Sequence, residues 1–565
     1  VSVDVNTDRL VNYGYTVVVV DQTTKSNGKT PCKRDVVYIK SPGTTINMSS
    51  ARDPYLVAVY VTSMYERESK KYYEYFGMTA IDITTGKSYW YETNSYSGDP
   101  NLAIDDLTRF LQTFSPVEII IVKSSKNKET IISVDQINKW GFTLSNIDNT
   151  DSLNCCDIIN NIKPVVHMNY SGFSSSNIDS SKVETISFQE QYLSEFYEIR
   201  HSALDELGLQ RNPMAATALV YLLKFCADHN KALLTHMEYP QPWSNSKTMS
   251  LETSCVFQLN IIESYYEQVK QNSICSMLKK SINTHMGYRL LRHRLLNCSI
   301  CPEELHKRYN YIETLQNHKS LNNFQCKLKK IRDLDRLHRK VILTTLTPSE
   351  LYITEQCYIA IDDILTELCE IPLYEELCKP SLEFIKAYRK IYLDIMNING
   401  AGTCTILENL HSSIFNRGYN SKIDELSDKL DTYERIKEIT CEHLSNIITF
   451  GSNCCVYRES EDNCCISITK SQYKKLMTNF KECSFVVDKT SYTITKDDFI
   501  SDTRNKSNVK ISVNLLDDLF ILKIDTVKAL KEQSTQAYFE LLKTLTVHKR
   551  KCTELSNIVG QIDLY

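Results

Sequence analysis

Four stretches of this 565-residue chain carry residue types that could do chemistry. Gly28-Lys29-Thr30, inside "SNGKTPCKRDVVYIKSPGT", has the tripeptide of a loop that cradles phosphate with converging backbone N–H groups. Such a loop needs a glycine five residues before its Gly-Lys pair, and Thr23 stands there. It also needs a helix behind it, whereas Pro31 and a strand-like "CKRDVVYIK" follow, so Gly28 and Pro31 read as turn residues between two strands. His293, Cys298, Cys301 and His306 form a His-x4-Cys-x2-Cys-x4-His pattern whose central knuckle would suit tetrahedral zinc. A structural zinc site pairs that knuckle with a second well-spaced ligand pair, so no metal site is expected here. The adjacent pairs Cys155-Cys156, Cys454-Cys455 and Cys464-Cys465 would point to opposite faces on strands, which argues against joint coordination.

The remaining candidates are basic. Residues 279–340 hold 15 Lys and Arg against 5 Asp and Glu. Phosphate-backbone attraction is one reading, since neutralising phosphates releases counterions. The favoured reading is a solvated helical face with internal ion pairs, because Asp333 and Asp335 reach Arg336 and Arg339 at helical spacing. Residues 466–510 hold nine basic residues, Lys470, Lys474, Lys475, Lys481, Lys489, Lys496, Arg504, Lys506 and Lys510, against Glu482, Asp488, Asp497, Asp498 and Asp502. β-Hairpins can present such side chains to a nucleic-acid backbone without reading bases, although charge runs are usually just solvated. No catalytic triad, paired-carboxylate site or metal cluster can be assembled from the sequence, and no catalytic residue is expected.

Positioning these residues takes both strands and helices. "YTVVVVDQ" and "DVVYIK" are strands, closed by a turn at Ser41-Pro42-Gly43-Thr44. "PYLVAVYVTSM", "YFGMTAIDITTGKSYWYET" and "PVEIIIVK" alternate as strands, and Leu102, Ile104, Leu107, Phe110, Leu111 and Phe114 recur at helical spacing. Stretches near 145–154 and 171–181 are surface loops or an insertion, and a helix is expected with Pro213 near its start. Long amphipathic helices fill 236–446. Strand patterns then occupy 447–511, and helical periodicity returns to the end, so a small β module is expected between long helices.

Length and composition set the bounds. At 565 residues the chain should fold as three or more domains. A 42% apolar, 24% charged composition with 15 Gly and 13 Pro fits an ordered, largely helical protein. Net charge of −4 gives no global attraction to nucleic acid or anionic membrane, so any basic surface is local. No apolar run approaches the ~20 residues of a membrane span, and no membrane partner is expected. Twenty scattered cysteines without a secretory signal point to reduced thiols in an intracellular compartment. The start at Val1 points to sequence missing upstream.

"THMGYRLLRHRLLNCSICPEELHKRYNYIETL", followed by "LKKIRDLDRLHRKVILTTLTPSELYI", resembles the core lever segments of the MutS family of DNA mismatch-repair proteins. Thr284, Gly287, Arg289, Leu290, Leu291, Leu295, Arg308, Glu313, Asp333, Leu334, Asp335, Arg336, Pro348 and Leu351 carry the match. "RLVNYGYTVVVVDQ" with "CKRDVVYIKSPGT" resembles the end of the family's mismatch-binding domain. "GMTAIDITTGK" and "SPVEIIIV" resemble its connector, and "MSLETSCVFQLNI" and "NRGYNSKIDELSDKL" resemble the lever entry and the approach to the clamp.

The resemblance implies a multidomain α+β protein. Residues 1–50 would be the C-terminal remnant of the mismatch-binding domain and 51–235 an RNase H-like α/β connector. The long all-α lever would occupy 236–446, with a small β clamp inserted at 447–511 and a return helix of the lever at 512–565. The nine basic residues of 466–510 become clamp candidates for contact with double-stranded DNA, mismatched or not. Asp82 and Asp105 form no recognisable carboxylate set in the connector, and fold alone does not transfer activity. The family's Phe-x-Glu wedge would lie upstream of Val1 and its ATPase downstream of Tyr565; no Gly-x4-Gly-Lys-Ser/Thr occurs in these residues. Hence no cofactor is expected in this chain. ATP, Mg and homodimerisation through the missing ATPase domain are expected of the full-length protein, which would be a DNA-dependent ATPase. The Cys- and Tyr-rich sequence resembles the branch found in giant viruses and octocoral mitochondria. Two rival expectations stand beside repair: a DNA- or protein-binding scaffold derived from the family, and a homologue that binds recombination junctions.

Overall fold

The computed structural model describes residues 3–13, 15–22, 32–45, 54–124, 143–144, 165–168, 180–243, 248–249, 251, 253–262, 273–316, 321–405, 407, 410, 412–448, 455–459, 464–487, 490–502 and 508–565. The chain forms two compact units, one of Val1–Thr345, Gln356–Ile385 and Thr546–Tyr565, the other of Leu346–Glu355 and Lys386–Leu545.

The first unit begins with helix α1 (Val3–Asn12) and an antiparallel ribbon of β1 (Val17–Gln22) and β2 (Arg34–Lys40), in register Val17↔Lys40. Gly28-Lys29-Thr30 lies outside the described residues. The turn Ser41–Thr44 follows, and the Thr44 amide donates to the Ser41 carbonyl at 3.0 Å.

Next comes a seven-stranded sheet in the order β7-β8-β6-β3-β4-β5-β9. β3 (Leu56–Glu66), β4 (Lys71–Asp82) and β5 (Lys87–Asn94) form an antiparallel meander. β6 (Glu118–Lys123) runs parallel to β3, with β7 (Thr143–Leu144) and β8 (Val165–Met168) beyond it. β9 (Gln241–Pro242) pairs with β5 in parallel. Residues 145–154 and 171–179 of the expected loops lie outside the described residues.

Strand alternation gives this sheet two apolar faces, each covered by one helix. Val57, Val59, Phe76, Met78 and Ile119 pack under α2 (Leu102–Phe114) through Leu107, Phe110 and Phe114, the residues whose spacing predicted that helix. Ala58, Tyr60, Ile81, Ile120 and Val122 pack under α4 (Pro213–Asn230), after the shorter α3 (Ile186–Tyr197). α4 approaches so closely that a Cβ on Gly77 would lie 2.0 Å from the Met214 carbonyl carbon. The Glu92 carboxylate accepts the Met214 and Ala215 amides at 2.9 and 3.0 Å, meeting the free N–H groups at the start of α4.

Helices complete this unit: α5 (His285–Leu296), α6 (Pro302–Gln316), α7 (Leu334–Ile342), parts of α8 (Pro348–Leu368) and α9 (Pro372–Leu393), and the final Lys549–Leu564. Each of α5 and α7 starts at a side-chain cap. Thr284 accepts the Gly287 amide at 3.0 Å, and Asp333 accepts the Arg336 amide at 3.5 Å.

The second unit is built on α10 (Ser421–Ile448) and α12 (Asn514–Thr546), with α11 (Lys470–Asn479) and six strands between them in sequence. The final helix, Lys549–Leu564, is numbered α13. Helix α10 runs to Ile448 and the last strand to Val513. Among the described residues, no helix is long and apolar enough to cross a membrane.

Candidate nucleic-acid interface

The inserted strands are β10 (Val456–Glu459), β11 (Cys464–Thr469), β12 (Cys483–Val487), β13 (Thr490–Ile494), β14 (Phe499–Asp502) and β15 (Asn508–Val513). They form a four-stranded antiparallel sheet, β10-β11-β15-β14, and a separate β12-β13 hairpin. The inward residues Ile466, Ile468, Val509, Ile511 and Val513 bury against Leu476 and Phe480. Leu444 and Ile448 of α10, and Leu516 and Phe520 of α12, close the same core. The module therefore sits on the C-terminal end of one long helix and the N-terminal end of the other.

Polar contacts fix that mounting. Lys523 of α12 bridges Glu434 of α10 at 2.8 Å and Glu459 of β10 at 2.7 Å. Burial opposes the charge on Lys523, but these two carboxylates win and raise its pKa. Ser512 donates to Asp517 at 2.7 Å, and the Cys464 thiol, pushed up to about 11 chiefly by burial, donates to the Leu516 carbonyl at 3.5 Å. α11 opens on a capping box in which the Thr469 amide donates to Gln472 at 2.8 Å and the Gln472 amide to Thr469 at 3.4 Å.

Lys470, Lys474, Lys475, Lys481, Lys496 and Lys510 are all exposed, spread over α11, the loops that follow it and β15. Lys489, Arg504 and Lys506 lie outside the described residues. Arg458 was missed, although it is exposed on β10 one residue after the inward Tyr457. Its strand "VYRE" alternates visibly but lies before Ile466, where the basic stretch begins. Cross-strand register sets Arg458 opposite Cys465 and Lys510 opposite Ser467, so both cations leave the sheet on the face away from the core.

The stretch 279–340 is occupied internally in part, while Lys279, Lys280, Lys307, Lys329, Lys330 and Arg332 are exposed. Arg289 forks onto Asp333 at 2.8 and 2.9 Å and touches Asp335 at 2.6 Å. Lys327 pairs with Glu367, Arg308 with Glu304 and Arg336 with Asp333. Arg339 does not pair with Asp335, as helical spacing suggested, but turns into the α/β layer. The zinc-like residues are likewise engaged elsewhere: the Cys298 thiol donates to the Leu295 carbonyl at 3.4 Å and the Cys301 thiol to Glu303 at 3.0 Å. Among the described residues, no group of three His, Cys, Asp or Glu is placed to hold a metal, and no disulfide joins two described cysteines.

With this arrangement in view, similarity decides the family. The model of MutS domain III matches residues 254–565, more than half of the chain, and that of MutS domain I matches 1–49. The chain belongs to the MutS family. A MutS homologue of Acanthamoeba polyphaga mimivirus is 28% identical over all of this chain and 51% of its own length. The DNA mismatch repair protein MutS of Caldanaerobacter subterraneus is 28% identical over 61% of this chain and 34% of its own length. That of Alkaliphilus metalliredigens is 23% identical over 74% of this chain and 42% of its own. The MutS sequence described here thus spans about half, or less, of these relatives. Its β module and the helices that carry it fall within the domain III match.

Proposed function

We propose that this chain is the duplex-gripping and transmitting part of a DNA mismatch-repair protein. On this reading 1–50 closes the mismatch-binding domain, 51–235 is the connector, 236–446 and 512–565 are the lever, and 447–511 is the clamp. The observation that carries it is the β module, held on the ends of helices of 28 and 33 residues and displaying exposed lysines on its surface. Contact is with phosphate oxygens rather than base edges, because scattered lysines supply point charges without the paired hydrogen bonds that distinguish bases. Long packed helices suit transmission, since they move as bodies between discrete arrangements. In the full-length protein the lever would report the nucleotide state of an ATPase that binds ATP and Mg and forms the homodimer contact. Described cysteines that are not joined by disulfides fit a reducing, intracellular setting, and the mimivirus relative fits a viral source.

The test is titration of homoduplex and singly mispaired DNA across a range of salt, read by gel shift or anisotropy. Salt-sensitive binding with little mismatch preference is expected. Replacing Lys474, Lys475 and Lys510 by Glu should weaken it and flatten the log–log salt slope by about 0.9 for each phosphate no longer neutralised. Absent binding, salt-independent binding, or an unchanged slope in the triple variant overturns the reading.

A further inference from the structure

Three helices of the first unit, α5, α7 and α13, form a hub against the α/β layer. They are tied to one another by polar contacts. Asp563 of α13 accepts the Thr284 amide and hydroxyl, both at 2.7 Å, ahead of α5. Arg289 of α5 holds Asp333 and Asp335 at the start of α7, and Ser556 of α13 meets His338 Nδ1 at 3.2 Å. A Cβ on Gly560 would lie 3.2 Å from the Met286 carbonyl carbon, so α13 and α5 touch almost backbone to backbone.

Each hub helix also sends a side chain into the α/β layer. Arg292 of α5 donates to the Ser115 hydroxyl. Thr553 of α13 donates to Glu238 at 3.1 Å. From α7, Asp335 faces Lys87 at 4.0 Å, and Arg339, only 1% exposed, enters the layer.

The partners of Arg339 are unusual for a buried cation. Nε donates to the Ile83 carbonyl at 3.2 Å, and Nη1 to the carbonyls of Thr235 at 3.0 Å and His236 at 3.3 Å. Nη2 donates to the Leu233 carbonyl at 2.8 Å and meets Met237 Sδ at 3.0 Å. The receiving backbone is bent to supply them: His236 takes a left-handed φ of 53°, and Gly86, with φ of 81°, leaves only 3.3 Å between a would-be Cβ and Nη1. Carbonyl dipoles from two separate segments are thus aimed at one planar fork, whose directions an ammonium could not match.

We infer that Arg339 is the positioning residue that sets the orientation of the α/β layer on the hub helices, its fork gripping the Ile83 turn and the 233–236 segment together. Lys87, reaching the other way to Asp335, secures the same joint from the layer side. This inference concerns internal geometry and holds or fails independently of DNA binding.

The test uses the full 565-residue chain with unnatural amino acids carrying fluorophores at exposed Tyr96 in the layer and exposed Tyr309 in α6, read as single-molecule transfer efficiencies. The unsubstituted chain should give one narrow distance. R339K keeps the charge but loses the fork, and should broaden or split that distance. L219A, a cavity in the layer core away from the joint, should lower stability while leaving the distance narrow. K87Q, which leaves Asp335 paired with Arg289, should broaden it less than R339K, and it supplies the measurement if R339K does not fold. An unchanged distance in R339K, or in K87Q where R339K does not fold, overturns the inference, as does equal broadening in L219A.

Discussion

Acidification should loosen the hub through one buried imidazole, His338. Its Nε2 lies 2.7 Å from the Tyr358 hydroxyl and its Nδ1 3.2 Å from the Ser556 hydroxyl, so a neutral ring is satisfied on both sides. Burial pulls its pKa from 6.5 down to about 4, against a smaller upward pull from Asp335 and Asp333. The unfolded chain therefore takes up a proton near pH 6.5 that the folded chain refuses until about pH 4. Stability is present above the upper value and is lost as pH falls through that window. Linkage puts the loss at about 2 kcal/mol between pH 7 and pH 5, and about 3 kcal/mol by pH 4. Asp335 also has a depressed pKa, because Lys87 and Arg289 outweigh the cost of its burial. Its contribution is lost only below its ordinary 3.8, so the span from pH 7 to 5 excludes it. His229, His285 and His293 are lowered by burial as well and add to the overall slope. The measurement must therefore be a difference: H338Q, whose amide can still donate and accept, against the unsubstituted chain. Hydrogen exchange of peptides covering 334–342 and 549–564, corrected for intrinsic pH dependence, should show about 2 kcal/mol less acid loss in H338Q. Equal slopes in the two proteins would refute the argument.

In the second unit, Arg389 chelates Glu355 with contacts of 2.7 and 3.2 Å, and the Tyr392 hydroxyl donates to the same carboxylate. R389M strands a buried anion and should cost about 3–5 kcal/mol by denaturant unfolding, whereas the double variant E355M/R389M should recover most of it. In the first unit, Glu118 Oε2 accepts the Ser41 hydroxyl at 2.7 Å and the Gly43 amide at 2.9 Å, fastening the turn after β2 to the sheet. E118A should cost about 1–3 kcal/mol by denaturant unfolding and speed exchange of the Gly43 amide. G43A should do likewise, since its Cβ would lie 2.4 Å from Leu56 Cγ.

Local pattern made much of this architecture legible. The apolar spacing from Leu102 to Phe114, the proline that opens α4, and the switch from helical to alternating periodicity near 447 each lead to an observed element. What local pattern could not give is the destination of a long side chain. Asp333, Asp335, Arg336 and Arg339 lie at spacings that favour pairs within one helix turn, yet only Asp333 and Arg336 pair that way. Arg289, 44 residues before Asp333, takes both acids, and Arg339 reaches carbonyls more than a hundred residues away. Nor did alternation reveal that the β module is a sheet plus a separate hairpin, because strand pairing depends on tertiary register rather than on the pattern of any one strand.

The same physics separates the chain's two groups of cations. A buried cation must find compensation for its lost hydration, and that demand fixes its geometry. Arg289, Arg339 and Arg389 meet it with two or more partners each, which makes them rigid and leaves them little charge to show to solvent. An exposed lysine carries no such demand, keeps its hydration, and can exchange counterions for phosphates when a duplex arrives. The stretch 279–340 has the larger formal excess of positive charge, but much of it is committed inward. The β module has the smaller excess and leaves six described lysines of 466–510 outward. Accessible charge, not counted charge, is what a polyanion meets, and 279–340 also exposes six cations, Lys279, Lys280, Lys307, Lys329, Lys330 and Arg332, so the module differs in carrying its lysines on one β insert rather than in exposing more of them.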